Sequence, residues 1–428
     1  MRRRLLLVVG IALTGALLTG ATPSPDPTTA EDEDPIRSQQ YWLEDYGITQ
    51  AWETTRGAGV TIAVIDSGIA DGPPEFEGAV IGGTDVSGVG TPDGRTPVDV
   101  INRNHGSQVA SLAAARGTGE DAGMIGVAPE ANLLSISLGF GASATVPFSE
   151  QVAKAMVWAV DNGADIINLS FTTNRTGWDE SWDEAFLYAY EHDVVVVVAA
   201  GNRGSGTDVV GAPATIPGVL TVAGVDPEGR ASIEASTQGI TIGISAPSER
   251  LLGVTLDGKV EGWKGTSGAA PIVAGVAALV RSAHPELNAV NVINRIIQTA
   301  RTPPGVTRVP DPFYGYGLVD AAAAVETNVP RVTQNPMGSL PRWIELNRRK
   351  EVGPQPTPTV TPVEIPPLPP AEPPAAAAAP GLPTADSLRY GTLPLVALSG
   401  AGILVVLGGI ATARRVRSAR VRRSPGNL

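Results

Sequence analysis

The chain contains no cysteine. Disulfides, cysteine nucleophiles and thiolate-bound metals are therefore excluded. Histidine is nearly as scarce: there are three in 428 residues, so imidazole chemistry has only His105, His192 and His284 to draw on. Aromatic residues make up 5% of the chain. Lys and Arg (31) are outnumbered by Asp and Glu (43), giving a net charge of −12. That balance argues against a nucleic-acid partner, whose binding rests on clustered cations. No internal repeat is visible, and no carboxylate cluster stands out as a metal site. No metal and no cofactor are therefore expected. What is abundant is glycine (50) and proline (37), which predict many turns and at least one Pro-rich linker. The length exceeds what one compact core usually holds, so two or three parts are expected.

The two ends read as targeting segments. Arg2, Arg3 and Arg4 precede the apolar run from Leu5 to Leu18, and Thr19-Gly20-Ala21 offers small residues for cleavage. Residues 1–21 are read as a signal peptide, with an uncleaved anchor as the alternative. Residues 22–40 form an acidic leader expected to be disordered. From Leu393 to Ala413 there is no charge, and at about 1.5 Å per residue this stretch covers about 31 Å, one hydrocarbon core. Six arginines follow (Arg414, Arg415, Arg417, Arg420, Arg422, Arg423), which puts residues 414–428 on the cytoplasmic side. The expected topology is an exported body, one span at 393–413 and a short inside tail, localised to the cell membrane. The alternative is a cell-wall sorting signal. Leu382-Pro383-Thr384-Ala385-Asp386 resembles a sortase site, but Ala385 and Asp386 stand where that pattern requires threonine and glycine. Between body and span, residues 329–388 read as a linker. Pro354 to Pro383 holds 12 prolines in 30 residues, a composition that favours semi-rigid polyproline II. The folded domain is expected over 41–328.

Within that domain, apolar strand-like runs at 60–66, 132–137, 165–170, 193–199, 219–225 and 240–245 alternate with helical stretches at 105–115, 148–162, 179–192 and 266–282. Continuous runs such as VVVVVAA fit strands buried on both faces. The expected class is α/β, a three-layer sandwich with a mostly parallel central sheet. In such sheets, sites gather at the carboxyl ends of the strands.

Four positions there carry chemistry. Asp66 closes a strand as Asp66-Ser67-Gly68; an Asp before Gly is also a common turn. An aspartic-protease reading fails because no second such triplet exists to share a proton. His105 follows Asn104, a candidate helix cap, and precedes Gly106, which allows close approach of a neighbouring group. His192 and His284 read as helix ends, where a cation suits the dipole. Ser267 opens a helix within Gly265-Thr266-Ser267-Gly268-Ala269-Ala270-Pro271. It is a cap by its position alone, yet its small neighbours leave the hydroxyl approachable, and the helix dipole favours developing negative charge. Asn202 ends a buried strand, either as a turn residue or as an amide donor.

Singly these signals are weak. In order, Asp66, His105, Asn202 and Ser267 lie in VTIAVIDSGIA, NHGSQVAS, VVVVVAAGN and GTSGAAPIVAGVAALV, accompanied by MIGVAPEANLLSIS and ADIINLS. This set resembles the subtilisin-like (subtilase) serine peptidases over about residues 57 to 325. The family's chain order is Asp, His, Ser. The resemblance implies Ser267 as nucleophile, His105 as general base, Asp66 as its orienting partner, Asn202 and the Ser267 N–H as oxyanion donors, and Ser170, Phe171 and Thr172 as the substrate-binding edge. The chain departs from the family pattern where Thr172-Thr173 replaces two glycines, which should narrow the adjoining pocket. It also departs at Gly268 (usually Met, so more room beside Ser267 is expected), at Gln108 and at Pro73 (both usually His). Fewer than about 20 residues separate the signal peptide from Tyr41, against the roughly 40 that a folded prodomain needs. The short leader, Pro-rich linker and C-terminal span together look like the mycosins, membrane-anchored subtilases of type VII secretion. The expected function is a membrane-anchored extracytoplasmic serine endopeptidase acting on exported proteins or peptides. The alternatives are a structural component of a secretion complex with optional proteolysis, and a non-proteolytic serine hydrolase.

Overall fold

In the computed structural model the described residues are 34–98, 102–141, 144–348 and, near the C-terminus, 407, 408, 410–412, 414 and 415. The chain divides into two units, residues 1–352 and 353–428. The expected signal peptide (1–21) lies outside the described residues, as do all of the Pro-rich stretch 354–383 and most of the span at 393–413. In the second unit, Leu407, Gly408, Ile410, Ala411, Thr412, Arg414 and Arg415 are helical.

The first unit is built on seven strands: β1 (Thr61–Asp66), β2 (Val80–Asp85), β3 (Asn132–Ser137), β4 (Ile166–Leu169), β5 (Val195–Ala199), β6 (Leu220–Val225) and β7 (Ile242–Pro247). They pair in the order β2-β3-β1-β4-β5-β6-β7, every pair parallel. The period of two along each strand sends alternate residues to opposite faces. Ile62 and Val64 enter one core while Ala63 and Ile65 enter the other, and Val195 and Val197 part from Val196 and Val198 in the same way. This double burial is why these strands read as unbroken apolar runs. Helices α3 (His105–Ala114) and α6 (Thr266–Ala283) pack on the first face, α4 (Phe148–Asp161) and α5 (Ser181–Glu191) on the second. The α/β, three-layer, parallel-sheet expectation is met.

α6 is long and apolar enough to cross a membrane, but 78% of it is buried inside the protein. It is the central core helix, apolar all round because it is enclosed.

Several elements carry weaker signals in the sequence. β2 contains Gly82-Gly83, which dilutes its strand pattern. At Gly83 a Cβ would lie 2.0 Å from the Asp93 carbonyl oxygen, so the glycine is a packing requirement. Two short helices, α1 (Trp42–Asp45) and α2 (Ile48–Ala51), precede β1. An antiparallel hairpin, β8 (Leu251–Val254) with β9 (Val260–Trp263), stands apart from the main sheet. Past α6 come α7 (Ala289–Gln298), α8 (Ala321–Glu326) and α9 (Leu340–Asn347).

The folded body also runs beyond the expected boundaries at 41 and 328. Gln40 is buried and exchanges two hydrogen bonds with the backbone of Ile125, at 2.7 and 3.1 Å. At the other end α9 buries Leu340 in the second core, and Trp343 stacks on Trp178 with ring centroids 4.2 Å apart. Arg348 packs against both rings and pairs with Asp183 at 2.8 Å. The segment read as the start of the linker is thus a strap, held by aromatic area and a partly buried ion pair.

Candidate active site

Three neighbouring strands, β1, β4 and β5, deliver the site. Asp66 is the last residue of β1, level with Ser137 of β3. Ser170 follows β4, and Asn202 comes three residues after β5.

Asp66 is fully buried. Its carboxylate accepts the Ser67 N–H at 2.7 Å and the His105 Nδ1–H at 2.8 and 2.9 Å. An ionised carboxylate can only accept, so the imidazole proton belongs on Nδ1 and the basic lone pair on Nε2. His105 stands at the start of α3 with its side chain 18% exposed, reachable from solvent but largely walled in. Two glycines bring α3 onto the turn after β1. A Cβ on Gly106 would lie 2.4 Å from the Gly68 carbonyl oxygen, and Gly68 itself has φ +106°. Ser67 Oγ then accepts the Gly106 N–H (3.0 Å), and Ser107 Oγ accepts the Ala70 N–H (3.0 Å). Asn104 occupies the cap position, but its side chain does not cap α3; its Oδ1 accepts the Leu256 N–H at the hairpin tip.

Ser267 is the second residue of α6. Pro271 explains part of its setting. Proline has no N–H, so the carbonyl four residues earlier, that of Ser267, loses its helical donor. Ser170 Oγ supplies one instead at 2.9 Å, and Asn168 Nδ2 donates to that same Oγ at 2.9 Å. Ser267 Oγ in turn donates to the Ser170 carbonyl at 3.0 Å. Ser170 thus grips the serine at both its main chain and its hydroxyl.

Asn202 Oδ1 accepts the Thr266 N–H (2.7 Å) and the Thr266 hydroxyl (2.9 Å), while Thr266 Oγ1 accepts the Gly201 N–H (3.0 Å). A backbone N–H needs an acceptor, which fixes the amide orientation and turns Nδ2 away from Thr266. Gly265 leaves that amide its space: a Cβ there would lie 2.9 Å from Nδ2, and its φ of +141° suits only glycine.

His105, Ser267, Asn202, Ser170, Phe171 and Thr172 all line one cavity of about 250 Å³. Asp66, the remaining residue singled out in the sequence, does not line the cavity; it is buried behind His105 and bonded to its Nδ1. His192 and His284 are far from this role. Each follows a helix C-terminus, with a ring nitrogen bonded to a backbone carbonyl, that of Tyr188 (2.8 Å) and Val325 (2.7 Å) respectively.

Gly268 corrects the expectation of extra room. A Cβ there would meet Leu251 Cδ1 at 2.3 Å, Leu112 Cδ1 at 3.1 Å and Trp263 Cζ2 at 3.3 Å. The β8–β9 hairpin occupies the space, and Trp263 meets the His105 ring edge to face with centroids 5.9 Å apart. The hairpin was not foreseen, although Asp257-Gly258 between two short apolar runs is a hairpin turn signal. Phe140 and Thr207, which also line the cavity, carried no such signal.

The subtilase family model matches residues 57–317. Fervidolysin of Fervidobacterium pennivorans is 32% identical over 71% of this chain and 46% of its own length, so this chain spans about half of that relative. Mycosin-4 of Mycobacterium tuberculosis is 32% identical over 72% of this chain and 74% of its own. Among solved structures, the MycP3 protease from the type VII (ESX-3) secretion system is 33% identical, with a TM-score of 0.58 over 67% of this chain and 88% of that one. The site geometry and these likenesses agree: the chain belongs to the subtilase family of serine endopeptidases.

Proposed function

We propose that the chain is a membrane-anchored extracytoplasmic endopeptidase that hydrolyses peptide bonds of exported proteins through an acyl-enzyme. The observation that carries this is the buried Asp66–His105 pair opening into the same cavity as Ser267 and the oriented Asn202 amide. Ser267 Oγ turns from the Ser170 carbonyl toward His105, loses its proton to Nε2 and bonds to the scissile carbonyl carbon. The carbonyl π electrons move onto oxygen, where Asn202 Nδ2 and the Ser267 N–H at the positive end of α6 stabilise them. Collapse of the intermediate breaks the C–N bond, and the imidazolium gives its proton to the leaving amine. Asp66 stays ionised and holds the ring. Water then repeats the sequence on the ester. Anchoring rests on the uncharged stretch 393–413 and the arginines after it.

Incubating an unfolded protein substrate with wild type and with Ser267→Ala tests this reading. Wild type generates new peptide ends and the variant none; equal cleavage by both refutes the assignment.

A second reading follows from the likeness to a protease of a type VII secretion system. The chain then also serves as a structural part of such a complex. A deletion strain whose secretion is restored by Ser267→Ala supports this role; failure of that variant, present at normal level, removes the purely structural version.

A further inference from the structure

We infer that the site accepts only small residues, Gly, Ala or Ser, on the acyl side of the scissile bond (the P1 residue), and that Thr172 and Thr207 impose this. The inference rests on the endopeptidase reading above.

The carbonyl under attack must sit between Ser267 Oγ and Asn202, with the peptide extended along Ser170–Thr172. The side chain next to that carbonyl then falls between the two walls of the cavity, residues 170–172 and 199–202. Here two methyl groups narrow that slot from within. At Gly201 a Cβ would lie 2.8 Å from Thr172 Cγ2 and 2.5 Å from Thr207 Cγ2, so both methyl groups lie against the bare backbone of the opposite wall.

The Thr172 methyl is not free to swing aside, and the backbone that carries Thr207 is tied on both sides. Thr172 Oγ1 is bonded to the Gly211 carbonyl (3.0 Å), which fixes the rotamer that turns the methyl toward Gly201. The Thr173 N–H donates to the Ala212 carbonyl (2.8 Å), and Asn174 Nδ2 donates to the Gly206 carbonyl (3.0 Å). A Cβ on Gly211 would fall 1.5 Å from the Thr173 carbonyl oxygen, so the two segments are in the closest possible contact. The Thr207 carbonyl accepts the Thr237 hydroxyl at 3.1 Å. The loop carrying Thr207 is thus stitched to residues 172–174 on one side and to Thr237 on the other. Admitting a leucine or phenylalanine would mean breaking these bonds, a cost that a single pocket converts into discrimination of roughly 10- to 200-fold.

The test uses two biotinylated peptidyl phosphonates that differ only at P1, an alanine and a leucine analogue, and compares their rates of attachment to the full-length enzyme. Wild type is expected to react about 100-fold faster with the alanine analogue. Thr172→Ser/Thr207→Ser removes both methyl groups and keeps both hydroxyls, and it is expected to lower that ratio about tenfold. Should wild type take the leucine analogue as fast as the alanine one, the proposal fails while the endopeptidase reading stands. An unchanged ratio in the double variant overturns the assignment to these two threonines. If neither probe attaches in a Ser267-dependent manner, the endopeptidase reading falls and the proposal with it.

Discussion

Adding one methyl at Gly268 should destabilise the enzyme, although glycine-to-alanine changes in helices usually do the opposite. Gly268 is the third residue of α6, where alanine would gain about 0.5–1 kcal/mol of backbone preference. Against this stands the packing. The new carbon would lie 2.3 Å from Leu251 Cδ1 and 3.1 Å from Leu112 Cδ1, and both leucines are fully buried. Overpacking of a well-filled core costs about 1–3 kcal/mol, and a contact as short as 2.3 Å belongs to the upper part of that range, about 2–3 kcal/mol, so the net loss should be about 1–2.5 kcal/mol. For a body of this size that corresponds to a fall in Tm of about 2–6 °C at fixed scan rate. The same methyl pushes on Leu251 and Trp263, and Trp263 abuts the His105 ring, so peptide hydrolysis should fall as well. The assay is thermal melting of Gly268→Ala, Leu251→Ala and the double variant. The account predicts that the two changes are coupled by at least about 1 kcal/mol, because Leu251→Ala makes room for the methyl. A Gly268→Ala enzyme that melts at or above wild type would refute the reasoning, since it would mean that the hairpin does not fill this space.

Other variants test separate parts of the account. Asn202→Asp keeps the acceptor for Thr266 but replaces the amide donor with a second acceptor. It should lower kcat by about 10²–10³, the scale measured for the oxyanion asparagine of subtilisin, with little change in KM. Glu75 is buried, its Oε2 has no hydrogen-bond partner among the described residues, and desolvation holds its pKa above the ordinary value of 4.5. The folded state therefore binds this proton more tightly than the unfolded one, and Glu75 subtracts stability as pH rises above 4.5. Glu75→Gln should raise Tm at pH 8 and make no difference at pH 4; a gain equal at both values would rule out the charge as its source. A chain ended after residue 348 should melt well above one ended after 328, because only the former keeps Leu340 in its core and Arg348 against Asp183. Equal melting would show that the strap adds nothing.

The parts legible in the sequence share a physical cause. Strands buried on both faces need unbroken apolar residues, so Val195–Ala199 and Thr61–Asp66 declared themselves within a residue or two. Asp66 and Asn202 stood out at or just after the ends of such strands and His105 and Ser267 at the starts of helices, where an α/β sheet gathers its chemistry, and their roles came only with the ordered resemblance to the subtilases. What stayed hidden depends on contacts distant along the chain. Gly83 looks like a strand breaker until the Asp93 carbonyl is seen against it. Gly268 reads as empty space until Leu251 and Trp263 are seen to fill it. The end of the folded body was misplaced for a similar reason. α9 is short and amphipathic and sits next to proline-rich sequence, and only its packing on Trp178 and Asp183 reveals it as part of the core.

The central claim is that Ser267 is the nucleophile, prepared by His105 and Asp66. The most direct test is to treat the native enzyme with a fluorophosphonate, digest it and locate the phosphonylated residue by mass spectrometry, alongside His105→Ala. The account predicts a single adduct, on Ser267, whose formation slows at least about 10³-fold without the imidazole. An adduct on another serine, or one on Ser267 that forms equally fast in His105→Ala, would contradict it.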